Sequence, residues 1–305
     1  MSGAAGLILR ASRLSEPAKG HAAMLLFSML VAGSFALGAM VARDIAPTAL
    51  NAARFAIAAG VIGALVMATG CMTRKDWQAP WRYLILGGLF SIYFVLMFEG
   101  LKTAPPVSAA AVFTLTPILS GLAGWVLLRQ ITTGWMALAL AIGGSGALWV
   151  IFRADIAAFL AFEIGRGEAI YFVGCIAHAI YTPMIAKLHR GERPLAFSFG
   201  TLLACVVVLS LWGWSDLRAT DWAALSPLVW VTILYVAVFA SAVTTVLVQF
   251  ASLRLPSAKV MAYTYLTPSW VILWQIALNK GAPPVAVLGG VALTVAALGM
   301  LLKAR

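Results

Sequence analysis

Charge is what this chain of 305 residues has least of. Asp, Glu, Lys and Arg together make up 10% of it, whereas soluble domains carry about 25%. So few charges cannot coat a surface in water, so most of the chain must be solvated by lipid. Carboxylates are scarcest: 10 Asp and Glu stand against 21 Lys and Arg, for a net charge of +11. The basic residues fall mainly between apolar runs, where they read as topology signals and headgroup contacts, and no nucleic-acid partner is expected. Cysteine is also sparse. Cys71, Cys175 and Cys205 lie in or near apolar segments without a CxxC spacing, which argues against a disulfide framework and a metal site. There is no HExxH, no GxSxG and no GxxxxGK[ST]. Catalysis and ATP hydrolysis therefore lack their usual chemistry, and no catalytic residue, metal or cofactor is expected. Nor does any segment resemble a channel filter.

What remains is apolar: 63% of residues are hydrophobic and the mean hydropathy is +0.98. A spanning helix needs about 20 such residues. Ten candidates occur, over 21–42, 47–70, 80–102, 105–128, 133–152, 167–188, 194–213, 226–252, 256–279 and 283–302. The expected fold is an all-α integral membrane protein. The short segment 1–20 is basic without a sustained apolar core, and reads as a cytoplasmic stretch before an uncleaved first span. With the N-terminus inside, thirteen basic residues fall in inner segments and six in outer ones. Both termini are therefore expected in the cytoplasm of a multi-pass protein in a bacterial inner membrane.

The chain repeats itself. Gly20 and Pro47 match Gly167 and Pro194 at an offset of 147, and Pro105, Thr116 and Pro117 match Pro256, Thr267 and Pro268 at 151. The halves are 21–152 and 167–302. Because each holds an odd number of spans, the second enters from the opposite side, giving two inverted five-helix repeats, a common plan among secondary transporters. The sequence Leu-Thr-Pro occurs at Pro117 and again at Pro268. A proline inside a helix removes a hydrogen bond, and freed backbone at mid-membrane must be satisfied by protein or a watery cavity. These prolines are expected to kink two helices that line a central cavity and act as hinges.

Ionisable groups inside spans are functional candidates by default. Arg54 and Glu99 lie at depths that allow an ion pair near the outer gate, and Glu99 is the one carboxylate expected well inside a span, hence a coupling candidate. Lys259 enters the ninth span from the inner side. His178 shares a stripe with Tyr171, Cys175, Tyr181 and Thr182 at helical spacing. Tyr263, Thr267, Trp270 and Trp274 lie on one face of the ninth span, an aromatic wall suited to stacking on a ligand. Gln249 in the eighth span and Tyr93 in the third complete the expected substrate-binding set. Small residues at Ala139, Gly143 and Ala147, and at Ala286, Gly290 and Thr294, mark the fifth and tenth spans as scaffold or subunit contacts.

The stretches "ALNAARFAIAAG" and "GLKTAPPVSAAAVFTLTPIL", with a second copy as "ASLRLPSAKVMAYTYLTP", resemble the EamA family of the drug/metabolite transporter superfamily. Arg54, Gly100, Leu101, Ala109 and Pro117 carry the resemblance. Within the family the chain is similar to the YddG-type exporters of aromatic amino acids. The resemblance implies a secondary transporter that exports small amphipathic metabolites by alternating access, as a monomer or weak homodimer. Aromatic or neutral amino acids suit spans that offer hydroxyls, indoles and few charges. The alternatives are other metabolites or drugs and, further off, a channel or an intramembrane enzyme.

Overall fold

The computed structural model describes residues 15–160 and 163–303, and all regular structure among them is helical. Most of the expected segment 1–20, with Arg10 and Arg13, lies outside the described residues. The helices are α1 (Glu16–Val41), α2 (Pro47–Thr69), α3 (Trp81–Gly100), α4 (Pro106–Phe113 and Thr116–Leu128), α5 (Gly134–Ile151), α6 (Arg166–Leu188) and α7 (Pro194–Trp212). Then come α8 (Pro227–Ala237, a π-helical turn Val238–Val243, and Thr244–Ser252), α9 (Ser257–Ala262 and Thr267–Ala277 around a 3-10 turn Tyr263–Leu266) and α10 (Val285–Lys303).

Among the described residues nine helical runs are long and apolar enough to cross a membrane. The tenth expected segment is α9, which is delivered as two short helices rather than one. Proline sets several starts: Pro47, Pro106, Pro194 and Pro227 stand in first turns, where a missing N–H costs nothing and φ is already helical. Thr133 caps α5 by accepting the Met136 N–H at 3.3 Å.

The helix pairings obey the repeat. Exchanging each helix with the one five places on turns the α3–α6 contact into α8–α1, α4–α6 into α9–α1, and α3–α7 into α8–α2, and all of these contacts exist. The α2–α7, α4–α9 and α5–α10 contacts map onto themselves. The bundle therefore has a pseudo-two-fold axis that relates two antiparallel halves. At α5–α10 the backbones nearly touch: a Cβ on Gly146 would lie 2.6 Å from the Gly290 carbonyl, and one on Gly290 equally close to the Gly146 carbonyl. On α10 the expected Gly290 and Thr294 meet α5, but on α5 the contact is made by Gly146, one position off the expected Ala147, while Gly143 faces Tyr265 of α9.

Successive helices alternate in direction. At one end Arg82 of α3 donates to the Leu188 carbonyl at the close of α6, and Arg254 after α8 bonds Glu16 at the start of α1. At the other, Arg43 after α1 donates to the Lys102 carbonyl after α3, and Thr48 of α2 bonds Asp216 in the short helix Trp214–Ala219. We call these the Arg82 end and the Lys102 end.

Candidate functional site

Both Leu-Thr-Pro sites break their helices, and the breaks meet. Thr116, Pro117, Thr264, Thr267 and Pro268 are all buried. The carbonyl that Pro117 leaves without an N–H partner, four residues earlier at Phe113, is satisfied locally, because the Thr116 hydroxyl donates to it at 2.6 Å. In α9 the Thr264 carbonyl accepts the Thr267 N–H of the tighter 3-10 turn, and the Thr267 hydroxyl has no hydrogen-bond partner. A cavity was expected at these prolines. In the structure both prolines are buried where α4 and α9 come into contact.

Beside the breaks lies an aromatic cage. The His178 ring of α6 is 4.3 Å from that of Tyr93, 5.5 Å from Phe113, 5.9 Å from Tyr181 and 6.0 Å from Phe90. Phe90 stacks on Tyr181 at 4.6 Å, and the Tyr93 and Tyr171 hydroxyls are 3.0 Å apart. His178 Nδ1 is buried without a hydrogen-bond partner, and the Tyr181 hydroxyl, although beside Gln249, makes no hydrogen bond of normal geometry. Gln249 itself accepts from Ser198 at 2.6 Å and donates to Thr201 at 3.2 Å. Four of the expected residues, Tyr93, His178, Tyr181 and Gln249, thus come together. Phe90 and Phe113 join them unforeseen, since nothing in an apolar run distinguishes a ring that faces a polar group from one that faces lipid.

The aromatic wall of α9 does not join this cage. Tyr263 Oη is 3.1 Å from His21 Nδ1 and Trp270 Nε1 donates to Ser28 Oγ at 3.2 Å, so both residues engage α1. Lys259, one turn before Tyr263, is close enough to His21 to act on it electrostatically.

The expected Arg54–Glu99 pair does not form. Glu99 binds Lys102 at 2.6 Å, with its side chain 38% exposed. Arg54 is fully buried and donates instead to Ser241 Oγ at 2.7 Å, the Ala240 carbonyl at 2.8 Å and Asn51 Oδ1 at 3.3 Å. Its guanidinium lies 3.8 Å from the centre of the Phe94 ring. The π-helical turn of α8 makes this possible: its wider winding presents the Ala240 carbonyl to α2, and the Ser241 hydroxyl donates to the Val236 carbonyl at 2.7 Å, which leaves its oxygen free to accept from Arg54. Such turns often occur at functional positions. Five donors on a planar fork suit neutral acceptors as well as carboxylates.

Nor is Glu99 the most enclosed carboxylate. Glu168 in the first turn of α6 is 3% exposed and accepts from Ser108 at 2.8 Å. At the Arg82 end, Arg82 and Glu192 form an ion pair of 2.6 Å, with side chains 1% and 3% exposed. Desolvation opposes the Glu192 charge, but the Arg190 N–H and the Arg82 guanidinium outweigh it and hold the carboxyl below its ordinary range. Sequence reading missed both groups because they stand at predicted span edges, where a carboxylate passes for a solvated one.

Comparison with known proteins agrees with the repeat. A model described as the EamA-like transporter family matches residues 18–152 and, separately, 165–302. An "Uncharacterized transporter YyaM" of Bacillus subtilis (strain 168) is 25% identical over 218 residues, covering 70% of this chain and 71% of that one. A protein crystal structure aligns at a TM-score of 0.70 and 21% identity, covering 95% of this chain and 98% of its own. That last likeness establishes a shared fold.

Proposed function

The chain belongs to the EamA-like transporter family and is a multi-pass membrane protein. From that premise we propose that it exports small amphipathic metabolites across a bacterial inner membrane, with aromatic and neutral amino acids as the substrates. One observation carries the reading: inside a cage of five aromatic side chains, His178 Nδ1 and the Tyr181 hydroxyl are buried with no hydrogen-bond partner. An apolar cage with a few convergent polar groups suits a ligand with a ring or aliphatic side chain and a polar head, and unmet buried polar atoms are costly until something binds them.

In this reading the arrangement described is the occluded one. In the proposed cycle the Arg82–Glu192 pair closes the cytoplasmic side, the Arg43–Lys102 and Thr48–Asp216 contacts close the outer side, and the breaks in α4 and α9 absorb the change. Arg54 tethers α2 of the first half to α8 of the second.

The test is transport in liposomes with labelled phenylalanine, competed by unlabelled amino acids. Saturable, competed flux that His178→Phe lowers more than Trp270→Phe supports both the substrate class and the cage. Absence of flux for any amino acid removes the substrate assignment, and equal losses in the two variants remove the cage from the path.

A further inference from the structure

We propose that Glu168 is a proton-binding site at the Lys102 end of the path, through which transport is coupled to a proton gradient. This rests on the transporter reading above and adds to it the identity of a co-transported ion.

Glu168 is almost wholly enclosed in a helical run apolar enough to span a membrane. Its hydrogen-bonding side-chain partner is the neutral Ser108 hydroxyl, and its carboxylate folds over Gly165, where any Cβ would collide with Oε2. A carboxylate charge in such surroundings is costly and is stable only with charged or hydrated partners. Ser108 also lines a cavity of about 370 Å³ at the Lys102 end, together with Pro105, Arg153, Gln275, Lys280 and Pro284. The hydroxyl that Glu168 binds thus borders a space rimmed by two cationic side chains. Other ionisable groups at this end are Lys102, already paired with Glu99, Arg43 on the Lys102 carbonyl, and Asp155, Glu163 and Arg166 in the segment that leads into α6.

The site is also connected to the cage. Glu168, Tyr171, Cys175, His178 and Thr182 follow one another at helical spacing along a single buried face of α6. Tyr171 shares a hydrogen bond with Tyr93, and His178 Nδ1 is unpartnered. A stripe of polar side chains therefore runs from Glu168 to the cage. The repeat strengthens the assignment, since the offset of 147 that relates Gly20 to Gly167 relates His21 to Glu168. His21 bonds Tyr263 near the Arg82 end. Each end of the path thus carries a protonatable side chain at an equivalent position. In the proposed step one proton passes from the outer cavity to a Glu168 carboxylate oxygen as substrate leaves on that side. It is released after the bundle opens toward the Arg82 end.

The experiment uses full-length protein in liposomes with labelled phenylalanine, comparing counterflow at equal pH with flux driven by a pH gradient, for wild type, Glu168→Gln and Glu168→Asp. The expected result is that the gradient accelerates wild type, that Glu168→Gln falls to its equal-pH rate while keeping counterflow, and that Glu168→Asp retains gradient response with a shifted pH profile. Equal gradient response in wild type and Glu168→Gln, or none in a wild type that performs counterflow, overturns the proposal. Failure of wild-type counterflow counts against the amino-acid reading alone. In that case, or if Glu168→Gln does not fold, infrared difference spectra of wild type and Glu168→Asp recorded across a pH titration decide. A carboxylic-acid band that titrates in wild type and shifts in Glu168→Asp supports the site, and a spectrum identical in both overturns it.

Discussion

Thr116 Oγ1 and Thr264 Oγ1 lie 3.3 Å apart at the point where the two broken helices touch. The contact crosses the repeat: one threonine opens the second part of α4, the other sits in the 3-10 turn of α9. Thr116 also closes the Phe113 carbonyl freed by Pro117. One hydroxyl therefore satisfies a helix break and joins the two halves of the repeat.

Thr116→Val keeps the shape but removes that hydroxyl. Interhelical hydrogen bonds in membranes contribute about 0.6 kcal/mol on average, rarely more than about 1.7. Thr116→Val should therefore lower thermal stability by about 1 kcal/mol, and under the proposed cycle, in which these breaks absorb the change, it should alter flux more than stability. Thr264→Val removes the contact without exposing the Phe113 carbonyl and should be milder. Thermal unfolding in detergent with parallel flux assays checks this ranking, and the reverse order would contradict the assignment of the Phe113 bond.

Arg54→Lys preserves charge and loses the fork. An ammonium cannot reproduce the planar geometry that reaches Ser241 and the Ala240 carbonyl together. We expect a stability loss of about 1–3 kcal/mol from the unmet carbonyl in the π-helical turn. Ser241→Ala, which removes one of the three acceptors, should cost less. If Arg54→Lys unfolds at the wild-type temperature, the tether between α2 and α8 has no energetic weight.

The Arg82–Glu192 pair should respond to acid. The folded protein holds the Glu192 carboxyl below its ordinary range, where desolvation is overcome by the Arg190 N–H and Arg82. A group with a depressed folded pKa favours the fold fully above its unfolded value, and this contribution is lost as pH falls through the folded value. Stability should therefore decline on acidification through and below the usual carboxylate range. Glu192→Gln should flatten that part of the profile and start from a lower plateau, measured as unfolding temperature against pH. A wild-type profile that matches the variant's would show that the pair contributes nothing.

Gly146→Val places a branched side chain where even a Cβ would meet the Gly290 carbonyl at 2.6 Å. Overpacking of a tight contact typically costs about 1–3 kcal/mol, so the variant should separate α5 from α10 and lose yield and stability. Gly299→Val, at a position with no atom within 4 Å of its Cβ, is the control and should behave as wild type.

Much of this was open to sequence reading because the relevant physics is one-dimensional. Low charge and long apolar runs determine a membrane protein, since backbone and side chains must match the solvent around them. The duplicated Leu-Thr-Pro determines two helix breaks, because proline lacks the N–H wherever the chain goes. The offsets near 147 and 151 determine an inverted repeat, as an odd number of helices reverses direction.

Rotation about the helix axis was not readable, and only the tertiary structure decided it. Lipid and protein interior are similarly apolar, so a spanning helix shows little contrast between its buried and exposed faces. Counting brought Arg54 and Glu99 to compatible depths, yet Glu99 turned to Lys102 while Arg54 met a carbonyl released by a π-helical turn that no residue pattern announced. Tyr263 and Trp270 shared a face as expected, but that face met α1. Phe90 and Phe113 entered the cage, and Glu168 found Ser108 sixty residues away. Spacing along the chain determines how deep a side chain sits; packing against neighbours determines what it meets there.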